Sequence, residues 1–386
     1  MRAFTDEQIL FRDSYRRFLS EEIAPHMPAW REAGIVDRSA YEKCGALGML
    51  MVWPAEEHGG MGDDDFRFEQ IIIEETARAG CGEFLNSLHS RLVGPYFERF
   101  GNEEQKMRFL PKCASGETIL AIAMTEPGAG SDVAGIKTRA EDKGDHFLLN
   151  GSKTYISNGI NADVVIVAAK LAGAASRHEL VLLIVERGME GFDRGQNLKK
   201  MGQNAQDTAE LFFDNVKVPK ANVLGEPGRG FYYLMEGLAE ERLIAACGFA
   251  AEARHAFDIT RDYVSERHAF GKPISEQQNT QFKMAEMDTE IDLVQTYIDH
   301  CVAEHNQGRL TAEMGAKAKL AASEVQGKMV DLGVQFHGGA GYMEEYEICR
   351  MYRDARITRI YAGTSEIMKL IIGREIFSQK YRSMLA

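Results

Sequence analysis

The stretch Arg359-Ile360-Tyr361-Ala362-Gly363-Thr364-Ser365-Glu366 joins small residues, which let backbone approach a ligand, to hydroxyls and a carboxylate that could fix one. The apolar run that follows (Ile367, Leu370, Ile371) predicts a helix beginning at Ser365-Glu366, where free N–H groups and the dipole favour anions. An ordinary helix cap accounts for the same spacing. Four loops add to it. Met124-Thr125-Glu126-Pro127-Gly128-Ala129-Gly130-Ser131-Asp132 offers backbone N–H groups and hydroxyls suited to a polar ring edge or a phosphate, although Pro127-Gly128 alone signals a type II turn. Tyr155-Ile156-Ser157-Asn158-Gly159 sends an aromatic and a hydroxyl out of a strand together. Arg267-His268-Ala269-Phe270-Gly271-Lys272-Pro273, with Gln278 beyond, carries an arginine that could grip a diphosphate or merely end a helix in solvent. Gln335-Phe336-His337-Gly338-Gly339-Ala340-Gly341 packs three glycines into four positions, more than helix termination needs, which points to close approach of a ligand or another chain. His337 lacks a second metal-type residue at ligand spacing, so it reads as hydrogen-bonded structure and no metal is expected.

Composition narrows the partners. A chain of 386 residues exceeds one comfortable core, and its hydrophobic fraction of 45% and charged fraction of 27% are those of a soluble globular protein. A net charge of −13 without a basic cluster disfavours nucleic acid, and no apolar run reaches membrane-spanning length. Six scattered cysteines without a C-x-x-C pair suggest reduced, buried thiols; with an N-terminus lacking signal-peptide character, they lead us to expect a cytoplasmic protein.

The elements that must position the loops follow from periodicity. Thr5 with Gln8 forms a capping box ahead of an amphipathic helix over 5–20, and helical patterns continue to about residue 115. The acidic run Asp63-Asp64-Asp65 reads as a solvated turn with nothing converging on it. From about 118 the period changes to short strands at 119–124, 164–169, 180–185 and 211–216, expected to be antiparallel because no helix lies between them; Asn150-Gly151 predicts a hairpin turn. Helical seams return after 228, with Met284, Met287, Ile291, Val294, Ile298 and Cys301 in one and Ala318, Ala322, Val325 and Met329 in the next. The expected fold class is α+β, mainly α: a helical domain over 1–118, a β-barrel-like domain over 119–228 and a helical bundle over 229–386.

Met-Thr-Glu-Pro-Gly-Ala-Gly-Ser-Asp, Arg-x-x-Phe-Gly, His-Gly-Gly-x-Gly-Tyr and Gly-Thr-Ser-Glu, in that order, make the chain resemble the acyl-CoA dehydrogenase family over essentially its whole length. The resemblance implies a three-domain fold ending in a four-helix bundle, a homotetramer, FAD in a cleft between domains and subunits, an acyl-CoA substrate and an electron-transfer flavoprotein as acceptor. It implies flavin-ring contacts from Met124, Thr125 and Ser157, with Tyr155 as the flanking aromatic. It implies substrate contacts from Ser131, Tyr232, Arg242, Ala362 and Gly363, Ser131 also being placed among the cofactor contacts. Contacts to the rest of FAD are implied for Arg267, Phe270, Gln278, Gln335, Phe336, Gly338, Gly339, Thr364, Ser365 and Glu366, some reaching across a subunit interface.

One departure matters for the chemistry. Many members carry a glutamate, the base that takes the substrate α-proton, where this chain has Ala362, and a methyl group accepts no proton. The long-chain and isovaleryl types instead resemble this chain at Leu238-Ala239-Glu240-Glu241-Arg242-Leu243, which implies that Glu241, immediately before the arginine, is the base. Glu240 points roughly 100° away on a helix, so the two cannot face one flavin. The resemblance is closest to the long-chain type. Expected alternatives are a branched-chain acyl-CoA dehydrogenase, isovaleryl- or terpenoid-like, and a non-catalytic flavoprotein platform.

Overall fold

The computed structural model describes residues 4–378; the first three residues of the N-terminus read above, and the ends of the two terminal domain ranges, lie outside them. The capping box is present, with Thr5 Oγ1 accepting from Gln8 N and Gln8 Oε1 accepting from Thr5 N, and it opens α1 (Asp6–Phe18). Helices α2 (Met27–Ala33), α3 (Ser39–Ala46), α4 (Phe66–Arg78), α5 (Gly94–Phe100) and α6 (Glu103–Ala114) complete the N-terminal part. Tyr15, Phe18, Leu19, Tyr41, Phe68 and Phe84 fill its core.

The central sheet comprises β1 (Leu120–Ala123), β2 (Arg139–Asp142), β3 (His146–Ser157), β4 (Val164–Leu171), β5 (Leu180–Glu186), β6 (Phe192–Arg194), β7 (Thr208–Pro219) and β8 (Val223–Gly228). Its order is β6-β7-β3-β2-β4-β5-β8, with β1 added on β4. The antiparallel expectation needs correction: β1 and β2 both run parallel to β4, because the β2–β3 hairpin supplies the crossover that usually takes a helix. The turn expected at Asn150-Gly151 is also absent. Both residues lie within β3, opposite a bulge in β7 where Asn215 takes φ 54°. A Cβ on Gly151 would meet Thr138 Oγ1 at 2.6 Å, so close strand approach requires this glycine. The real turn lies earlier, where Lys143 N donates to His146 O.

Helix α7 (Gly230–Glu266) then runs 37 residues to the small hairpin β9 (His268–Ala269) and β10 (Lys272–Pro273). Helices α8 (Gln278–Asn306), α9 (Ala312–His337), α10 (Glu347–Ala355) and α11 (Ser365–Ile376) follow. The anticipated seams are buried at Met287, Ile291, Ile298 and Cys301 on α8 and at Ala318, Ala322, Val325 and Met329 on α9. The acidic run is not a free turn. Asp65 caps α4 through Arg67 N and accepts from Gln8 and Asn306, and Asp64 pairs with Arg91 at 2.6 Å. These partners come from distant segments, which local composition cannot reveal.

The three parts meet at a carboxylate cluster. Glu83 accepts from Ala205 N at 3.1 Å, Asp354 accepts from Gln203 N, and Glu252 accepts from Gln326. Burial, then the charges of Asp354 and Glu83, push Glu252 up to about 8, and burial pushes Asp354 up to about 6. The folded chain therefore holds these protons more tightly than the unfolded one, and stability falls as pH rises from the ordinary carboxylate range through about 8. Glu252→Gln removes one such loss. We expect its melting temperature to match the parent near pH 5 and to exceed it at pH 8.5, as scanning calorimetry at the two values would read; a deficit at pH 8.5 would contradict the assignment.

Candidate active site

Glu240 and Glu241 stand side by side on α7, both 5% exposed, yet they face different surroundings. Glu240 accepts from Arg91 Nε at 2.6 Å and from Arg99, with His305 Nε2 at 3.5 Å. Burial alone would raise its pKa, but the His305 hydrogen bond and the charges of Arg91 and Arg99 outweigh burial and hold it well below the usual range. This carboxylate is a fixed anion. A cavity of about 350 Å³ opens on the same side, walled by Trp53, Pro95, Arg91, Arg99 and His305, a lining of mixed apolar and charged character.

Glu241 has one hydrogen-bond partner among the described residues, the Tyr96 hydroxyl at 2.9 Å from Oε1. Burial pushes its pKa up to about 7, against the Tyr96 hydrogen bond and the Arg242 charge. A carboxyl poised there exchanges a proton near neutrality, which suits a general base. Arg242 is also buried, and its Nε finds no partner among the described residues. It does not hold the 359–366 loop; that task falls to Lys319, wholly buried on α9, whose Nζ donates to Gly363 O at 2.7 Å.

Ala362 and Gly363 take φ values of 54° and 93°, successive left-handed residues whose N–H groups have no acceptor among the described residues. Such a turn makes a concave, anion-favouring surface. A Cβ at Gly363 would meet Met368 Cε at 2.6 Å. Thr364 caps α11 by accepting from Ile367 N, Ser365 donates to Glu324 at 3.0 Å, and Glu366 is exposed. The helix start expected here is present, and so is the ordinary cap.

The first two loops are built together. Thr154 N donates to Thr125 O at 2.9 Å, and Lys153, wholly buried, donates from Nζ to Met124 O at 3.0 Å and to Glu126 Oε1 at 2.8 Å. Glu126 also accepts from Lys137 N and Thr138 N. Two residues of β3, Thr154 and Tyr155, oppose one of β7, and this bulge turns Tyr155 outward at φ 60°, 70% exposed. Asn158 follows at φ 58°, fixed by Leu120 O and Gln206, and ends the strand at Ser157. The hydroxyls of Thr125, Ser157 and Ser131 are uncommitted among the described residues, and Ser131 is exposed.

The other two loops lie at the far end of the bundle. Arg267 follows α7, Phe270 sits at the hairpin tip 98% exposed with φ 54°, and exposed Gln278 opens α8. Tyr263 stacks on His337 at 4.0 Å, which brings the end of α9 alongside. His337 Nδ1 pairs with Gly333 O, the structural part foreseen for it. Gln335, Gly338 and Gly339 are exposed and Phe336 is half-buried; a Cβ on either glycine would meet nothing within 4 Å, so open space rather than crowding surrounds them. Tyr232, 53% exposed, lies under the Arg229 guanidinium on the first turn of α7.

The chain therefore gathers Glu241, Arg242 and Lys319 in one place, joins 124–131 to 153–157 in another, and keeps 267–278 with 335–339 apart. Sequence reading missed Tyr96, Lys153 and Lys319. Only Lys319 carried a signal, as a charge in an alanine-rich helical run beside the Ala318 and Ala322 seam; Lys153 stands among the polar residues Ser152 and Thr154.

The acyl-CoA dehydrogenase N-terminal, middle and C-terminal domain families match residues 5–117, 121–216 and 228–377. The chain is 45% identical to the mitochondrial long-chain specific acyl-CoA dehydrogenase of Sus scrofa over 381 residues, covering 98% of this chain and 88% of that one. It is 38% identical to the mitochondrial isovaleryl-CoA dehydrogenase of Solanum tuberosum, covering 98% and 92%. The crystal structure of an acyl-CoA dehydrogenase from Geobacillus kaustophilus superposes with a TM-score of 0.96 at 46% identity, covering 98% of this chain and all of that one.

Proposed function

Because the chain belongs to the acyl-CoA dehydrogenase family, a family of FAD-dependent oxidoreductases, we propose that it converts a medium- or long-chain acyl-CoA to the trans-2-enoyl-CoA with Glu241 as base. The observation that carries this reading is a buried carboxyl at Glu241, raised to about 7, in a chain with no acid at 362.

The residues present fit FAD: the outward ring of Tyr155, the free hydroxyls of Thr125 and Ser157, and an Arg267 guanidinium without an ion partner among the described residues. Bound FAD supplies the acceptor for the β-hydrogen. Met124 would help to hold the cofactor beside these residues, as would Thr364, Ser365 and Glu366 through the start of α11. The free N–H of Ala362 polarises the thioester oxygen, which makes the α-proton acidic, and Glu241 receives that proton. Arg242, buried beside Glu241, orients the thioester, while Ser131, Tyr232 and Gly363 line the substrate's path.

Arg267 lies 26 positions beyond Glu241, about 39 Å along α7 at 1.5 Å per residue, farther than one dinucleotide reaches. We therefore assign Arg267, Phe270, Gln278, Gln335, Phe336, Gly338 and Gly339 to the diphosphate and adenine of a FAD in a second copy, within a homotetramer. Exposed Phe270, Phe282, Leu293 and Tyr342 support association. Mixed assemblies of Arg267→Ala and Glu241→Gln chains should regain turnover that neither variant has alone. Measured dehydrogenation that stays at the sum of the two separate variants would contradict shared sites.

The function is tested by anaerobic addition of straight and branched acyl-CoA thioesters to the flavin-loaded protein. We expect flavin bleaching, strongest with a straight chain; a branched optimum favours the reading suggested by 38% identity to an isovaleryl-CoA dehydrogenase. No bleaching with any of them leaves a non-catalytic platform. An electron-transfer flavoprotein is the proposed acceptor, and six cysteines outside any disulfide support a reducing setting such as the cytoplasm.

A further inference from the structure

We propose that Tyr96 is a positioning residue for Glu241: its hydroxyl holds Oε1 and turns Oε2 toward the substrate, and Gly237 keeps the space in which the two groups meet. The proposal rests on the assignment of Glu241 as base.

Tyr96 comes from α5, 145 positions away in the chain, and is 3% exposed. Its ring is set by Phe100, edge-on at 5.9 Å, which in turn stacks on Tyr233 at 4.2 Å. The phenol is thus held before any substrate arrives. Gly237 lies one turn before Glu241 on α7, and a Cβ there would stand 3.0 Å from both Glu241 Oε1 and the Tyr96 oxygen. Any larger residue would push against the hydrogen bond itself. With Oε1 occupied, Oε2 has no hydrogen-bond partner among the described residues and is the oxygen left to take a proton.

A phenol that donates favours the ionised carboxylate, opposing burial. The other charged groups around Glu241 are Glu240 and Arg242 on its own helix, Arg99 on α5, and Lys319 on α9 beside Arg242. Glu240 is faced in turn by Arg91, by His305 on α8 and by Glu69 on α4. None of these donates a hydrogen bond to Glu241, so removing the Tyr96 hydroxyl leaves the base without its only donor among the described residues.

The test is the pH dependence of kcat/KM of flavin-loaded Tyr96→Phe and Gly237→Ala, with Glu241→Gln beside them. The parent should lose activity as pH falls through about 7, where Glu241 takes up its proton. In Tyr96→Phe that acid limb should move up by about one pH unit, the effect of one lost hydrogen bond to a carboxylate. Gly237→Ala should move it in the same direction by crowding the contact while keeping the hydroxyl, which preserves the test if the phenylalanine variant does not accumulate. If both variants keep the parent limb while Glu241→Gln is inactive, the role of Tyr96 is refuted and the base stands. If Glu241→Gln turns over normally, the base assignment falls, and the Tyr96 proposal falls with it.

Discussion

Glu241→Gln should turn over at least roughly 10²-fold more slowly than the parent while keeping its flavin, the low end for losing a general base. The substitution preserves shape and removes the proton acceptor. It also relieves the burial of an ionisable group, so the folded chain should be no less stable, and the loss should appear in kcat rather than in flavin content. Its neighbour gives the control by position. Glu240 is engaged by Arg91, Arg99 and His305, so Glu240→Gln should disturb folding more than chemistry, whereas Glu241→Gln should do the reverse. Near-normal turnover of Glu241→Gln, measured with an artificial electron acceptor, would remove it from the chemistry.

Lys153→Met should destabilise the chain by about 3–5 kcal/mol, the usual cost of leaving one member of a buried ion pair alone. Lys153 is wholly buried, and burial pushes it down to about 8 although Glu126 opposes this. Its removal leaves Glu126 with two backbone donors and no countercharge, and frees Met124 O from the ammonium that pins it. Because that ammonium fixes the loop bearing Thr125 against the strand bearing Tyr155, flavin content should fall with stability. The double variant Glu126→Gln/Lys153→Met should recover part of both losses, since no charge is then stranded. Urea unfolding and absorbance per protomer measure the two effects; a single variant within about 1 kcal/mol of the parent would show that the pair does not carry the loop.

What could be seen in the sequence was what is encoded locally. The capping box at Thr5 and Gln8, the α8 and α9 seams, the change of period near residue 118 and the helix start after Thr364 all depend on neighbours within a few positions. The failures share a different cause. Asn150-Gly151 has turn chemistry, but its conformation is set by β7 and by Thr138, so the register of a distant strand overrode the local signal. The outward turn of Tyr155 depends on a bulge visible only once β3 and β7 are paired. Asp64 is exposed as expected, but the partners of Asp64 and Asp65, Arg91 and Asn306, arrive from elsewhere in the chain.

The candidate active site divides in the same way. Glu241 was reached through a motif and the missing acid at 362, but its environment was not legible. Tyr96 is 145 positions distant, and nothing in the spacing of α5 marks that tyrosine as facing α7. Lys319 sits in an alanine-rich helical run where a lysine ordinarily faces solvent; here it reaches the carbonyl of Gly363 and sets the turn that presents the Ala362 N–H. Position 362 carries no acid and offers a backbone donor with no acceptor among the described residues.

The proposed removal of the α-proton by Glu241 can be measured alone. A thioester with sulfur in place of the β-carbon can lose its α-proton but has no β-hydrogen to give, so exchange of that proton into D2O reports the base without any redox step. The flavin-loaded parent should exchange it, with a rate that falls as pH drops through about 7, and Glu241→Gln should not exchange it above background. Exchange by Glu241→Gln at the parent rate would contradict the assignment and place the base on another residue.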